Sequence, residues 1–337
     1  MVVTMKDVAN YAGVSKSTVS QYLNNRFQYM SEATRRKVEL AIKELNYTPN
    51  QVARSLSQKK TNNIAIVAAT LSSKFTTELV SAIEKIFSER EIDVIVASTE
   101  DDASREKKHV ESLKSRQVDG IIVFPTAENR AYYQQLVDEN YPIVFIDRMI
   151  DNLPVDSVLL DNVAAGAMAT EYLLSKNHQK IAILTFPLGK KDSITTRRDR
   201  LNGYLSVLSE RNITIEKDYI VQTDRQNISE KLDQLYQLPT APTALVLTND
   251  MLLEGTLVWA KDRGIKLPEE LSIVSIDDVS FAHFFTPAIS TIAQPIQSMA
   301  EEVAELLYEK IENGMKNSGI KKIYPPKLNH RESVKKI

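Results

Sequence analysis

The feature that most constrains the fold is a pair of short amphipathic helices, joined by a tight turn, within the first 25 residues. The run TMKDVANYAGVSKSTVSQYLNN has apolar residues at helical spacing on both sides of Ala12-Gly13-Val14. Gly13 gives the turn its backbone freedom. The residues predicted to form the two buried stripes are Val8, Tyr11 and Ala12 in the first helix and Val19 and Leu23 in the second. Because the two stripes can close on each other, the segment is predicted to be a helix-turn-helix.

A third helix is predicted to complete a small core. It begins after a cap at Ser31, and its predicted buried stripe comprises Val38, Ala41, Ile42 and Leu45. Ser15 is placed as the N-cap of the second helix, which leaves the polar side chains of that helix outward. The candidate base readers are therefore Lys16, Ser17 and Gln21.

Charge separates this segment from the rest of the chain. Residues 1–60 contain ten Lys and Arg against four Asp and Glu, a net charge of +6, whereas the whole chain carries −2 and the remainder therefore −8. A basic segment is attracted to phosphates through counterion release, and an acidic body is not. The alternative, two ordinary amphipathic helices of a larger α-domain, does not account for this asymmetry. The sequence therefore predicts a DNA-binding head on an acidic body.

The head resembles the DNA-binding domain of the LacI/GalR family of bacterial transcription repressors. The likeness runs from Thr4-Met5-Lys6-Asp7-Val8-Ala9 through Val14-Ser15 to Thr18-Val19-Ser20. It continues in LNYTPNQVARSLSQKKT, which is similar to the family's Y-x-P-N-x-x-A-R-x-L hinge. In the family this segment becomes a short helix when two subunits lie side by side on an operator, so the resemblance implies that Leu56 is a minor-groove wedge. The alternative is a polar linker over 50–61.

The resemblance implies operator contacts from the head and from the hinge. The implied DNA-binding residues are Thr4, Lys16, Ser17, Thr18, Ser20, Gln21, Asn24, Tyr47, Asn50, Ala53, Arg54 and Leu56. Most members of the family have Arg where this chain has Gln21. A carboxamide matches N6 and N7 of adenine as Arg matches O6 and N7 of guanine, so the base pair that faces Gln21 is predicted to be A·T.

Composition limits what else the chain does. It contains no cysteine, which excludes disulfides, thiol nucleophiles and Cys-ligated zinc. It has no apolar run of about 18 residues and no export leader, so we expect no membrane span and a cytoplasmic protein. The four histidines lack metal-ligand spacing, and neither a Walker loop nor a G-x-S-x-G elbow is present. We therefore expect no enzyme activity, no metal and no cofactor.

From residue 62 short β-branched runs alternate with helical stretches, the pattern of βαβ units around a parallel sheet. The first predicted series has the strands NIAIVAAT, IDVIVAS, DGIIVFP and PIVFID and helices over 76–90, 104–116 and 129–139. The second has the strands KIAILTF, DYIVQT, TALVLT and SIVSID and helices near 163–177, 197–211, 226–237 and 250–264. A last helix, about 295–314, precedes a closing strand. Two such series predict paired lobes with a ligand cleft at the carboxyl ends of their strands.

From about Asn63 to Ser333 the body resembles the periplasmic-binding-protein-like core of the same family. The implied fold is an all-α helix-turn-helix head plus an α/β body of two doubly wound lobes. The predicted domains are a head at 1–49, a hinge at 50–61 and an effector-binding and dimerisation domain at 62–337. The predicted lobes are about 62–160 with 292–321 and about 161–291 with 322–337, joined by crossovers near 160, 290 and 322.

Three ligand-binding residues carry over from the family by position. Arg200 in RLNGY matches its effector-binding arginine, Asn249 in TND its amide, and Asp277 in IDD its carboxylate. Aspartate accepts from paired hydroxyls, an amide both donates and accepts, and arginine donates in a fork that suits hydroxyl pairs or a carboxylate. The set therefore suits a polyhydroxylated ligand.

Further candidates for the effector site are Asp147 and Arg148, at the end of the strand PIVFID, and Arg198. The surplus of arginine points to an acidic sugar. For each candidate the alternative is an ion pair on the surface or within a lobe. Phe75 falls where the family commonly places an apolar residue, but LSSKFTT departs from the usual N-P-F-F pattern.

The resemblance is closer to repressors of ketodeoxygluconate and hexuronate utilisation, through Val19-Ser20-Gln21, LNNRFQYMSEAT and ARSLSQKKT. It implies a homodimer on a pseudo-palindromic double-stranded operator, released by a sugar acid that acts as inducer. One alternative is a ligand or a partner protein that strengthens operator binding. A solute-binding module of a transport system is an alternative of another class, and it leaves the basic head unexplained.

Overall fold

Side-chain caps set the limits of the three helices of the head. These are α1 (Met5–Ala12), α2 (Lys16–Leu23) and α3 (Glu32–Glu44). Ser15 and Ser31 each accept a hydrogen bond, 3.2 Å long, from the backbone amide three residues further on. Gly13 ends α1 in the left-handed conformation, with φ 66°. The predicted caps and the predicted turn are confirmed.

The core of the head includes residues from all three helices and from the segment after α3. The buried side chains are Val8, Ala9, Ala12, Val19, Val38, Ala41 and Tyr47. The prediction was wrong at Tyr11, which is 56% exposed, because α1 turns Ala9 inward instead. Tyr47, which the sequence predicted to contact DNA, also belongs to this core. Its amide donates to Ile42 O, which folds the chain back onto α3, and its side chain is only 7% exposed.

Two six-stranded sheets, one in each lobe, form the body. The computed structural model describes residues 3–48 and 60–337, and the chain divides into two units between Thr61 and Asn62. The first sheet has the order β11 (Lys321–Tyr324), β5 (Ser157–Leu160), β4 (Ile143–Ile146), β3 (Gly120–Val123), β1 (Asn63–Ala68) and β2 (Asp93–Ser98). The second has the order β12 (Lys327–Asn329), β10 (Ser290–Ala293), β9 (Ser272–Ile276), β8 (Ala244–Leu247), β6 (Ile181–Thr185) and β7 (Ile220–Gln222). Neighbouring strands are parallel except for the pair β10 and β12.

Helices cover both faces of each sheet, so each lobe has two apolar layers. In the first lobe α4 (Lys74–Ser88) and α12 (Ile296–Asn313) lie on one face, and α5 (Ala103–Ser115) and α6 (Arg130–Asp138) on the other. In the second lobe the faces carry α7 (Asn162–Ser175) with α8 (Thr195–Glu210), and α9 (Ile228–Tyr236) with α10 (Asp250–Arg263) and α11 (Ser280–Phe284). The predicted fold class is confirmed.

The chain returns between the lobes slightly later than predicted. Ser290–Ala293 pairs with β9 and therefore belongs to the second lobe, which moves that crossover to 294–295. Lys321–Tyr324 pairs with β5 in the first sheet, which moves the last crossover to 325–326. Both strands are short and lie next to prolines, so the sequence pattern gave them no clear limits.

Two glycines bring α7 and α8 into backbone contact. A Cβ atom at Gly166 would lie 2.0 Å from the carbonyl oxygen of Arg200, and one at Gly203 would lie 2.1 Å from that of Val163. No larger residue fits at either position while the helices keep this distance. The crossing fixes the start of α8, which carries the arginines of the cleft.

Candidate functional site

Two matching strands supply carboxylates to the cleft between the lobes. β4 and β9 hold the same third place in their sheets, and each ends one residue before an aspartate. These residues, Asp147 and Asp277, both have left-handed backbones, with φ 65° and 80°. Both are buried and line the cavity of the cleft, whose volume is about 50 Å³. The cleft therefore brings together two aspartates that the sequence predicted.

Burial raises the pKa of Asp147 and that of Asp277. The charges of Arg148 and Arg200 oppose the rise at Asp147. At Asp277 the opposing groups are Arg200 and Gln294, whose Nε2 donates to Oδ1 over 2.6 Å. Each carboxylate would gain from a further hydrogen-bond donor, which the hydroxyl groups of a sugar can supply.

Arg200 is held in the cleft by two hydrogen bonds within the second lobe. Its Nε donates to Asn162 Oδ1 over 2.8 Å, and its Nη1 donates to Thr248 O over 2.5 Å. Asn162 is the first residue of α7, so the close crossing of α7 and α8 sets the geometry of this contact. The guanidinium is buried and faces the cavity as predicted.

Asp101, which the sequence did not single out, joins the two lobes through arginine. It follows β2, and its Oδ1 accepts from Arg148 Nη1 over 2.6 Å. Its Oδ2 accepts from Arg197 Nη2, at the start of α8 in the other lobe, over 2.5 Å. Burial alone would raise the pKa of Asp101, but the two guanidinium groups lower it to about 2. This carboxylate is therefore ionised over the whole physiological range.

Arg198, which the sequence predicted to bind the effector, does not contribute to this cavity. Its guanidinium pairs with Asp151 over 2.9 Å and with Asp199 over 2.8 Å, and it does not line the cavity. Successive residues of a helix point about 100° apart. The neighbouring Arg197, with a side chain only 13% exposed, faces the cleft instead.

Two buried polar atoms of cleft residues have no hydrogen-bond partner within the described part of the chain. They are Arg148 Nε and Gln294 Oε1. Arg148 Nε lies 3.6 Å from Asp147 Oδ2, which is an ion-pair distance but not a hydrogen bond. A buried unpaired donor is costly. The cleft thus presents an unpaired donor, Arg148 Nε, beside the carboxylates of Asp147 and Asp277, which can accept further hydrogen bonds.

Asn249 and a set of apolar side chains complete the cavity. Asn249 lines it and also caps α10, since its Oδ1 accepts from the Leu252 amide over 2.9 Å. The apolar lining is Ala69, Phe75, Phe124 and Met251. Phe75 therefore lies at the cleft despite the altered motif around it, and it offers a surface for the carbon skeleton of a ligand.

A second carboxylate, Asp250, also connects the lobes. Ser73 Oγ donates to its Oδ1 over 3.0 Å and the amide of Lys74 donates to its Oδ2 over 2.5 Å, both from the start of α4. Burial and the charge of Asp277 raise the pKa of Asp250 to about 6. Asp250 was not predicted, because the first residue of a helix is commonly acidic for local reasons.

The candidate base readers lie along α2. Lys16 and Ser17 are exposed, whereas Thr18, Ser20, Gln21 and Asn24 are half-buried. Asn24 Nδ2 donates to Ser20 O over 2.8 Å, and Thr4 caps α1 with its hydroxyl 2.6 Å from Asp7 Oδ2. The remaining predicted DNA contacts, Asn50, Ala53, Arg54 and Leu56, lie outside the described residues.

Across residues 3–48 and 60–337, every helix is too short or too polar to span a bilayer. Over the same ranges, no three His, Asp or Glu side chains cluster in a way that would hold a metal ion.

Two family models match the chain. One, described as bacterial regulatory proteins of the lacI family, covers residues 4–50, and one for a periplasmic binding protein-like domain covers residues 170–334. The probable HTH-type transcriptional regulator EndR of Paenibacillus polymyxa is 48% identical over the full length of both chains.

Solved structures agree over nearly the whole chain. The lac repressor dimer bound to operator and an anti-inducer is 25% identical, has a TM-score of 0.82 and covers 99% of this chain and 100% of its own. The complex of the transcriptional regulator CelR with cellobiose is 25% identical, has a TM-score of 0.72 and covers 98% of this chain and 99% of its own. Both the head and the two-lobed body therefore have counterparts in regulators of transcription.

Proposed function

The chain belongs to the lacI family of bacterial transcription regulators, and we propose that it represses genes of sugar-acid utilisation until a sugar acid binds between its lobes. In this proposal two copies hold a pseudo-palindromic operator. The ligand releases them because it binds the operator-free conformation more tightly than the operator-bound one.

The observation that carries the choice of ligand is the unpaired Nε of Arg148 beside two buried carboxylates. A sugar acid supplies both an acceptor for this Nε and donors for the two carboxylates. Its carboxylate can accept from Arg148, and its hydroxyl groups can donate to Asp147 and Asp277. With every group ionised, three arginines and three aspartates around the cavity balance.

Titration calorimetry of the full chain tests the ligand class. We expect heat of binding with ketodeoxygluconate or with a uronate such as glucuronate, and none with glucose. Arg148→Gln should weaken binding of the acid by at least about tenfold, since a hydrogen bond to a charged group contributes roughly 1.5–3 kcal/mol. Arg198→Gln is the matched control, because Arg198 forms ion pairs with Asp151 and Asp199 outside the cavity. Binding of neutral sugars alone would refute the proposed ligand.

The head reads the operator in this proposal through α2. Its exposed Lys16 and Ser17 lie on the same helix as Gln21. A single helix reads only a few base pairs, so we infer a homodimer on two half-sites. The lac repressor, a similar protein, is bound to operator as a dimer.

Selection of binding sites from a random DNA pool tests operator recognition. We expect a palindrome with adenine opposite Gln21. Gln21→Arg should move that base pair toward G·C, and a good bidentate contact discriminates by about 1–3 kcal/mol. A selected site that is the same for both proteins would refute the contact. Enrichment only when a sugar acid is present would reverse the direction of control and make the ligand a corepressor.

A further inference from the structure

The cleft of this structure already holds a carboxylate at its arginines. Asp101 uses one oxygen for Arg148 of the first lobe and the other for Arg197 of the second, at 2.6 and 2.5 Å. Charge-assisted hydrogen bonds from guanidinium groups are also how arginine binds the carboxylate of a small molecule. Asp101 therefore occupies the arginine donors that a ligand carboxylate would use.

The loop that carries Asp101 is built for this contact. Glu100 and Asp101 are consecutive non-glycine residues with left-handed backbones, φ 53° and 58°. Such conformations persist only where surrounding contacts enforce them. The contacts here are hydrogen bonds to Glu100 from Ser98 Oγ, 2.6 Å, and from Thr70 Oγ1, 2.9 Å, with one from the Asp101 amide to Ala69 O, 3.0 Å. The strained backbone places the carboxylate between the two arginines.

We propose that Asp101 is a resident carboxylate that stands in for the ligand and sets the acid preference of the cleft. A sugar acid enters by accepting from Arg148 Nε and then takes the place of Asp101 on Arg148 and Arg197. A neutral sugar leaves Asp101 where it is. This inference rests on the proposed sugar-acid ligand, and it makes Asp101 a residue that determines specificity through competition.

The competing explanation is that Asp101 only holds the two arginines and the two lobes in place. The two explanations differ in sign. If Asp101 competes with the ligand, its removal strengthens binding of acids. If Asp101 is a scaffold, its removal weakens binding of every ligand, because the arginines lose their orientation and the lobes lose a contact.

The test compares the wild-type full chain with Asp101→Asn by titration calorimetry against ketodeoxygluconate, glucuronate and glucose. Asparagine keeps the shape of the side chain and removes its charge. We expect the affinity for both acids to rise about tenfold, because the charged carboxylate that competes with the ligand for the arginines is gone. The response to glucose should be unchanged. Asp101→Glu keeps the charge and should keep the wild-type preference. Asp151→Asn, which removes a partner of Arg198 outside the cavity, should change neither affinity.

Operator binding without ligand checks that each variant is folded. Weaker binding of the acids by Asp101→Asn, with wild-type binding intact, overturns the inference and leaves the proposed function standing. Binding of glucose alone by both proteins overturns the proposed ligand and the inference together. Acid binding that appears only in Asp101→Asn supports the resident carboxylate and refutes a sugar acid as the ligand of the wild-type chain.

Discussion

Two carboxylates connect the lobes, and their ionisation is opposite although both lie away from solvent. Asp101 sits between Arg148 and Arg197, and its pKa falls to about 2. Asp250 is 2% exposed and accepts from a hydroxyl and backbone amides at the start of α4, and its pKa rises to about 6. Burial acts in the same direction on both. The two pKa values differ because Asp101 has two positively charged partners. Asp250 has only neutral donors and is repelled by the charge of Asp277.

The cleft therefore closes through one contact that favours an ionised carboxylate, at Asp101, and one that disfavours it, at Asp250. Closing on Asp101 brings opposite charges together. Closing on Asp250 takes out of water a carboxylate that is already repelled by Asp277 of the same lobe, so the contact is strongest when one of the two is neutral. A ligand hydroxyl that donates to Asp277 weakens this repulsion.

The largest expected effect concerns the charge of Asp250. Its folded pKa of about 6 lies above the ordinary 3.8, so the folded state binds the proton more tightly than the unfolded state does. The resulting penalty is absent below pH 3.8, grows between about pH 4 and 6, and reaches about 3 kcal/mol above pH 6, at 1.36 kcal/mol per pKa unit. The stability of the wild type relative to Asp250→Asn should therefore fall by up to about 3 kcal/mol between pH 4 and pH 7.

Urea unfolding followed by the fluorescence of Trp259, the single tryptophan, measures this difference. Trp259 is 1% exposed in the core of the second lobe, which also carries Asp250. Asp262→Asn removes an exposed charge from the same helix and should leave the pH profile unchanged. A stability difference that is constant from pH 4 to 7 would contradict the raised pKa.

A smaller effect is expected from breaking the other contact. Arg197→Ala leaves Asp101 with Arg148 alone, and removal of one partner of a largely buried pair should cost about 2 kcal/mol of unfolding free energy at pH 7. Arg198→Ala removes a more exposed pair and should cost about 0.5 kcal/mol. Thermal unfolding of the two variants side by side measures the difference. Equal losses of unfolding free energy in the two variants would mean that the ion pair between Arg197 and Asp101 stabilises the fold no more than an exposed pair does.

The smallest effect is expected at the hydroxyl that holds Asp250. Ser73→Ala removes its donor to Asp250 and the cap of α4, which should cost about 1 kcal/mol. It should also raise the pKa of Asp250 further, because one stabilising hydrogen bond is lost. Ser72→Ala, at an exposed neighbouring hydroxyl, is the control. The same urea titrations at pH 4, 5.5 and 7 measure how the stability of each variant depends on pH. If Ser73 has no part in the ionisation of Asp250, the pH at which stability changes will be the same in Ser73→Ala and in the wild type.

The sequence predicted the parts of the cleft that local pattern or motif determines. Buried apolar runs located β4 and β9, and Asp147 follows from the rule that ligands meet the carboxyl ends of parallel strands, whereas Asp277 was predicted from the family motif. Arg200 was found because it lies in a recognisable motif.

The missed residues depend on contacts between distant segments. Asp101 lies in an acidic loop that looks like solvated surface, and its partner Arg197 is 96 residues away. The choice between Arg197 and Arg198 needed the rotation of α8, which the contact of Gly166 with its backbone fixes. Asp250 looked like an ordinary helix start, since its partners belong to the other lobe.

The crossovers at 294–295 and 325–326 affect the order in which the lobes fold during synthesis. Strands β1 to β5 emerge early, but α12 supplies Met299, Val303 and Leu307 to the core that covers one face of their sheet. That face stays uncovered until nearly the whole chain has been synthesised, whereas the second lobe has most of its core by residue 293. Domains generally fold in the order of synthesis. Here the lobe that is made first is the one that finishes last, and its open apolar face is where a nascent chain needs protection from aggregation.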